Sequence, residues 1–80
     1  RRMYRARADC AVPLPGTPVY GVDTHDQACG AVVDAVEHPD GGSELLVVVQ
    51  MSSVEAGPVH LGSTSGHVLN FLPLPYGPGE

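Results

Sequence analysis

The segment from Ala28 to Met51, ACGAVVDAVEHPDGGSELLVVVQM, decides the fold of this 80-residue chain. Two apolar runs flank the connection Pro39–Ser43, in which proline fixes φ and the glycines accept a positive φ. The second run, Leu45–Val49, is entirely aliphatic, which predicts a strand that is buried on both faces. We therefore predict a β-hairpin that pairs Ala31–Glu37 with Glu44–Met51, and we expect the core to form around it.

A helix over Ala31–Glu37 is the alternative interpretation, because alanine and glutamate favour helices. The segment is short, three of its residues are valine, and Pro39 follows closely, so a strand is favoured. Gly30, just before it, marks either a β-bulge or a close approach of two backbones.

Shorter segments on either side of the hairpin predict further strands. In Arg2–Ala8, Tyr4, Ala6 and Ala8 share one face, while Met3, Arg5 and Arg7 share the other, which is typical of an edge strand with a charged outer side. Ser52–Pro58 is a polar connection with room for one helical turn. The remaining predicted strands are Pro18–Val22, Val59–Leu61 and Val68–Leu72.

Glycine and proline occupy 18 of the 80 positions (10 plus 8), so the elements must be short and the turns many. This composition favours an all-β domain, and we predict a small closed or partly open, Greek-key-like barrel of about six strands. The barrel is expected to span residues 1–76 as a single domain, with 77–80 as a flexible tail. The first residue is not Met and no signal peptide is evident, so we expect the C-terminal domain of a longer protein.

Charge is distributed unevenly along the chain. The four basic residues are Arg1, Arg2, Arg5 and Arg7, whereas nine carboxylates follow and lysine is absent. The missing lysine excludes biotinyl and lipoyl carriers, Schiff-base enzymes and P-loop nucleotide binding. Phosphate backbones need clustered cations, so no nucleic-acid surface is predicted. The charged strand is interpreted as solvated, with contact to another domain of the parent protein as the alternative.

Cys10 and Cys29 form no CxxC motif, and we expect two reduced, mostly buried thiols, with a disulfide as the lesser alternative. His25 with Asp23 and Asp26 would bind a metal only weakly, because zinc needs three or four converging ligands, so no metal site is predicted.

The other polar candidates carry no chemistry either. His38 is interpreted as a solvated turn residue and Asp34 as a surface residue on a half-exposed strand. The serines lack a GxSxG nucleophile elbow. No catalytic residue is therefore predicted.

The C-terminal segment Leu69–Tyr76, LNFLPLPY, resembles the end of the YgfZ family, folate-binding proteins related to the aminomethyltransferase (T-protein) of the glycine cleavage system. Other segments resemble that family in the same order along nearly the whole chain. These are Arg1–Tyr4 at the start of its last domain, Pro15–Val19 at its Pro-Gly turn, Cys29–Val33 and Leu45–Met51.

The resemblance implies the C-terminal barrel of a three-domain cytoplasmic protein that serves iron–sulfur cluster maintenance and tRNA modification. Its domains would surround tetrahydrofolate or a derivative, while this fragment alone holds no cofactor. The family's signature Lys-Gly-Cys-Tyr-x-Gly-Gln-Glu would lie just before Arg1, and neither Cys10 nor Cys29 matches it.

A non-catalytic module that contacts the N-terminal domains of its parent and encloses the folate is therefore expected, with no membrane contact. Arg1 and Arg2 are weak candidates for binding the folate's glutamate tail, since guanidinium groups pair well with carboxylates. The alternatives are the barrel of a tetrahydrofolate-dependent aminomethyltransferase and a stand-alone barrel that binds another protein.

Overall fold

In this computed structural model, which describes residues 1–24 and 26–72, six antiparallel strands form an all-β, curled half-barrel. The strand order is β5-β2-β3-β4-β1-β6. Strands β2, β3 and β4 are consecutive neighbours and β1 lies beside β4, which is a Greek-key arrangement. The predicted fold class is confirmed. The elements are β1 (Arg2–Ala8), β2 (Pro18–Gly21), β3 (Gly30–Glu37), β4 (Ser43–Val49), α1 (Met51–Ala56), β5 (Val59–Leu61) and β6 (Asn70–Phe71).

The predicted hairpin is the β3–β4 pair, which extends from Gly30 opposite Val49 to Glu37 opposite Ser43. Gly41 and Gly42 in its turn both have positive φ, as the turn requires. The second strand ends at Val49 rather than at Met51, because the Gln50 carbonyl accepts hydrogen bonds from the Ser53 and Val54 amides and starts α1. The helix covers Met51–Ala56, so it begins one residue before Ser52–Pro58, the segment in which the sequence leaves room for one helical turn.

The backbones of β3 and β4 approach closely at Gly30, where a Cβ atom would overlap the carbonyl oxygen of Val48. One of the two roles predicted for Gly30 is therefore confirmed. The β-bulge lies further along the strand, between Val32 and Asp34, and leaves Val33 without a partner in β4.

Burial along β4 alternates, which corrects the prediction that this strand is buried on both faces. Leu45 and Val47 are fully buried, whereas Leu46 is 38% exposed. The half-barrel has one inner face, and none of the described elements covers the outer face of β4. The core consists of small and branched residues from every strand but β6, namely Ala6, Ala8, Val19, Val32, Leu45, Val47, Val49, Val59 and Leu61, together with Cys29 and Leu69.

Strand β1 is not an edge strand, contrary to the prediction. It pairs along its whole length with β4, and Ala6 and Arg7 also pair with Phe71 and Asn70 of β6. The alternation predicted for β1 is nevertheless present, because Ala6 and Ala8 are buried and Met3 is exposed.

The segment before β6 joins the two ends of the sheet. Val68 forms a bridge with His60 of β5, and the Leu61 and Leu69 amides donate to the His67 and Val59 carbonyls at 2.8 Å. The predicted strand Val68–Leu72 is therefore shared between β5 and β1, and only Asn70–Phe71 forms a strand of its own. Residues 73–76 of the predicted domain, most of the LPLPY motif and the predicted tail 77–80 lie outside the described residues.

Candidate functional site

The outer face of β3, β4 and β1 carries the most distinctive surface of the described chain. Strand register aligns its outward residues in three rows, Met3 with Val48, Arg5 with Leu46 and Asp34, and Arg7 with Glu44 and Val36. We call these eight residues the outer patch. Because side chains alternate along a strand, every core residue of β4 has a neighbour in this patch.

Four apolar side chains in or beside the outer patch are exposed to solvent. The exposed fractions are 48% for Met3, 38% for Leu46 and 60% for Val36, and Val33 in the bulge is also exposed. A shallow depression of about 290 Å³ lies between Arg5, Asp34 and Leu46. Grouped apolar exposure of this kind marks interaction surfaces, whereas scattered exposed residues are ordinary.

An ion pair crosses the outer patch diagonally from β1 to β4. Arg5 donates from Nε and Nη2 to the same Glu44 carboxylate oxygen, at 3.2 and 2.7 Å. The hydrogen bond from Arg5 lowers the pKa of Glu44; partial desolvation opposes this effect, and the charges of Arg5 and Arg7 add to it. Glu44 is thereby held ionised beside apolar neighbours.

Arg7 contacts a histidine rather than a carboxylate. Its Nη2 lies 3.2 Å from Nδ1 of His38, and the Asp40 amide also donates to Nδ1 at 3.1 Å. Guanidinium and amide groups can only donate, so Nδ1 is the acceptor in both contacts. His38 is therefore a half-buried residue with fixed contacts, which corrects its interpretation as a solvated turn residue.

Arg1 and Arg2, the candidates for the glutamate tail, are both exposed at the start of β1. Arg2 contacts Met51, with Nη1 4.0 Å from the Met51 sulfur. Both guanidiniums are accessible to a ligand, but no other described polar side chain converges on them.

The two cysteines are free, Cys29 fully buried and Cys10 half-buried, in agreement with the expectation of two unpaired thiols. The Cys10 sulfur lies 3.9 Å from the hydroxyl of the buried Ser43. Asp34 is exposed, as predicted, and accepts a hydrogen bond from the Ala35 amide.

The described residues contain no group of three or more His, Cys, Asp or Glu side chains that could hold a metal ion, and His25 lies outside them. One depression of about 550 Å³ is lined by Asp23 and Asp26, whose carboxylates would repel the anionic glutamate tail of a folate. The depression in the outer patch is smaller and partly apolar.

The outward side of β1 is visible in the sequence pattern, but the rest of the outer patch is not. Leu46 and Val48 were hidden within an uninterrupted aliphatic run, in which the inward and outward residues have the same chemistry. The ion pair between Arg5 and Glu44 depends on the β1–β4 pairing, which joins residues 39 positions apart and leaves no local signal.

Comparison of the chain with known protein families, with curated proteins and with solved structures found no match. The described part of the chain contains no helix long and apolar enough to cross a membrane.

Proposed function

We propose that this chain is the non-catalytic C-terminal barrel of a YgfZ-like folate-binding protein that takes part in iron–sulfur cluster maintenance and tRNA modification. In this role it acts by packing against the N-terminal domains of its parent and closing one side of the folate site. The parent would be cytoplasmic, in keeping with the two free thiols.

The observation that carries the proposal is the position of the family-like segments in the fold. Pro15–Val19 leads into β2 through a turn, with Gly16 at positive φ, and Gly30 lies where β3 and β4 approach most closely. Leu45–Val49 supplies the central core strand, and Leu69 and Phe71 lie in or against the core from the last segment. Several of the segments that resemble the family thus have a structural task that a six-stranded barrel needs, which supports the proposal.

A supporting role also agrees with the chemistry of the described residues. Two of their three histidines are engaged in structure, as His60 Nδ1 donates to the Gly66 carbonyl at 2.9 Å and His38 accepts from Arg7. The distinctive surface is a broad face with apolar residues rather than a cleft with converging polar groups. Such a face suits contact with protein better than catalysis.

The parent protein tests the proposal directly. We expect its sequence to contain Lys-Gly-Cys-Tyr-x-Gly-Gln-Glu shortly before Arg1, and we expect tetrahydrofolate to bind the purified protein in isothermal titration calorimetry. Transfer of a one-carbon unit to tetrahydrofolate, together with the absence of that signature, would instead identify an aminomethyltransferase. A parent that neither binds tetrahydrofolate nor carries the signature would contradict the proposal.

The contribution of Arg1 and Arg2 is tested separately in the same parent. Loss of a charged hydrogen bond costs about 1.5–3 kcal/mol, so Arg1→Ala/Arg2→Ala should weaken folate binding by roughly tenfold or more. Glu55→Gln, which removes a charge from the exposed surface of α1 and lies outside the outer patch, is the control and should leave the Kd unchanged. An unchanged Kd in the double variant would remove these two arginines from the site without affecting the assignment of the parent.

A further inference from the structure

The inner face of the half-barrel is covered and its outer face is not. The inward residues of β4 are completely buried, while their outward neighbours lie on the outer patch with nothing from the described chain above them. Antiparallel sheets that face water normally carry polar residues on that side. Here Met3, Leu46 and Val36 stand exposed across three adjacent strands, so burial of this face against a partner would remove apolar surface from water.

The charges around the patch indicate which charged group a partner should place against it. Of the described guanidiniums, only that of Arg5 lies within 4.0 Å of a described carboxylate. Arg7, at the corner of the patch, donates instead to the imidazole of His38. A carboxylate on the partner would complement Arg7, because guanidinium–carboxylate pairs gain strength when desolvated in an interface.

The charges of the chain disfavour two other occupants of the outer patch, a second copy of this chain and a membrane surface. A second copy would bring together two chains of net charge −5, each with all its arginines within residues 1–7. The two carboxylates of the patch, Asp34 and Glu44, balance the two guanidiniums of Arg5 and Arg7, so the patch has no net positive charge to attract an anionic membrane surface.

We infer that the outer patch is the face by which this barrel docks onto another domain of its parent protein, and that this domain presents apolar side chains flanked by a carboxylate that pairs with Arg7. This inference rests on the proposed function, because it names the partner of the same module. The depression of about 290 Å³ beside Leu46 lies near the lower limit of ligand pockets, roughly 300 Å³, and accepts one apolar side chain. Buried anchors of this kind carry much of the binding energy of an interface.

Thiol alkylation in the intact parent tests the docking face. Leu46→Cys and Val36→Cys each place a thiol in the outer patch, and Val68→Cys places one on β5's side of the barrel, where Val68 is 44% exposed. Each variant also carries Cys10→Ser, so that Cys10 does not react; Cys29 is kept because it is buried. Iodoacetamide labelling of each cysteine-containing peptide is then followed by mass spectrometry. We expect both patch thiols to react at least about tenfold more slowly than the Val68→Cys thiol, because reaction requires the domains to open.

Charge reversal tests the chemistry of the partner. Arg7→Glu should raise the labelling rate of the Leu46→Cys thiol in the parent severalfold, whereas Arg7→Lys should change it little. Far-UV circular dichroism of each variant verifies that the barrel remains folded. Equal acceleration by the two changes would overturn the proposed carboxylate.

Three other labelling results would contradict the docking proposal or the proposed function. Labelling rates for the patch thiols that match that of Val68→Cys would overturn the docking proposal, even in a parent that binds folate. Protection that disappears on dilution of the parent would show a second copy on the patch and would also overturn it. Protection in a parent that binds no folate would contradict the proposed function while leaving the docking face in place.

Discussion

Two nitrogens of Arg5 donate to one carboxylate oxygen of Glu44, although the two residues are diagonal rather than direct partners in the β1–β4 pair. Arg5 lies directly opposite Leu46, and Glu44 directly opposite Arg7. Diagonal neighbours on one face of a sheet are within reach of long side chains. The ion pair therefore links β1 to the hairpin on the outer side of the sheet, opposite to the core.

This ion pair should make stability depend on pH. The folded-state pKa of Glu44 lies below its ordinary value of 4.5, so the stabilisation is fully present above pH 4.5 and is lost as the pH falls through the lowered folded-state pKa. In Glu44→Gln, the midpoint of thermal unfolding should fall less between pH 6 and pH 3 than in the wild-type chain. Glu55→Gln, on the exposed surface of α1, should retain the wild-type profile. Identical profiles for Glu44→Gln and wild type would contradict the assignment.

The neighbouring leucines of β4 should differ sharply in their contribution to stability. Leu45 is 1% exposed in the core, so Leu45→Ala should lower the free energy of unfolding by about 2–5 kcal/mol. Leu46→Ala, one position along on the outer face, should change it by only about 0.5 kcal/mol. Urea titration followed by circular dichroism measures both values. Equal losses would mean that the outer face is covered within this chain.

Gly30 should tolerate no side chain. A Cβ atom at this position would overlap the Val48 carbonyl oxygen and come within 2.7 Å of the Val49 Cα, both backbone atoms that cannot rotate away. Gly30→Ala should therefore cost about 1–3 kcal/mol or more in the same urea experiment. At Gly16, φ is +89° and an added Cβ would meet no atom within 4 Å outside the neighbouring residues. Gly16→Ala therefore isolates the cost of the backbone conformation and should be the milder change. A Gly30→Ala variant as stable as wild type would contradict the close approach.

Replacing Ser53 with alanine should increase the stability of the protein. Its hydroxyl is buried and finds no hydrogen-bond partner among the described residues. Ser53→Ala removes an unsatisfied polar group and should raise the free energy of unfolding by about 1 kcal/mol beyond the gain in helix propensity. Ser52→Ala, an exposed position in the same helix, measures that propensity gain alone. A smaller gain at Ser53 than at Ser52 would show that the hydroxyl is satisfied.

The sequence by itself determined the local elements of this protein. Turn glycines, alternating residues and branched aliphatic runs act over a few positions, so they predicted the hairpin, the outward side of β1, the short helix and the all-β class.

Only the tertiary structure decided which side of β4 faces water, because Leu45 and Leu46 have identical chemistry and differ only in what lies above them. It also placed β1 inside the sheet and brought Arg5 to Glu44, since pairing between strands far apart in the chain depends on how the whole sheet curls. The outer patch is a product of that long-range pairing, for its three rows draw on strands that no local pattern connects.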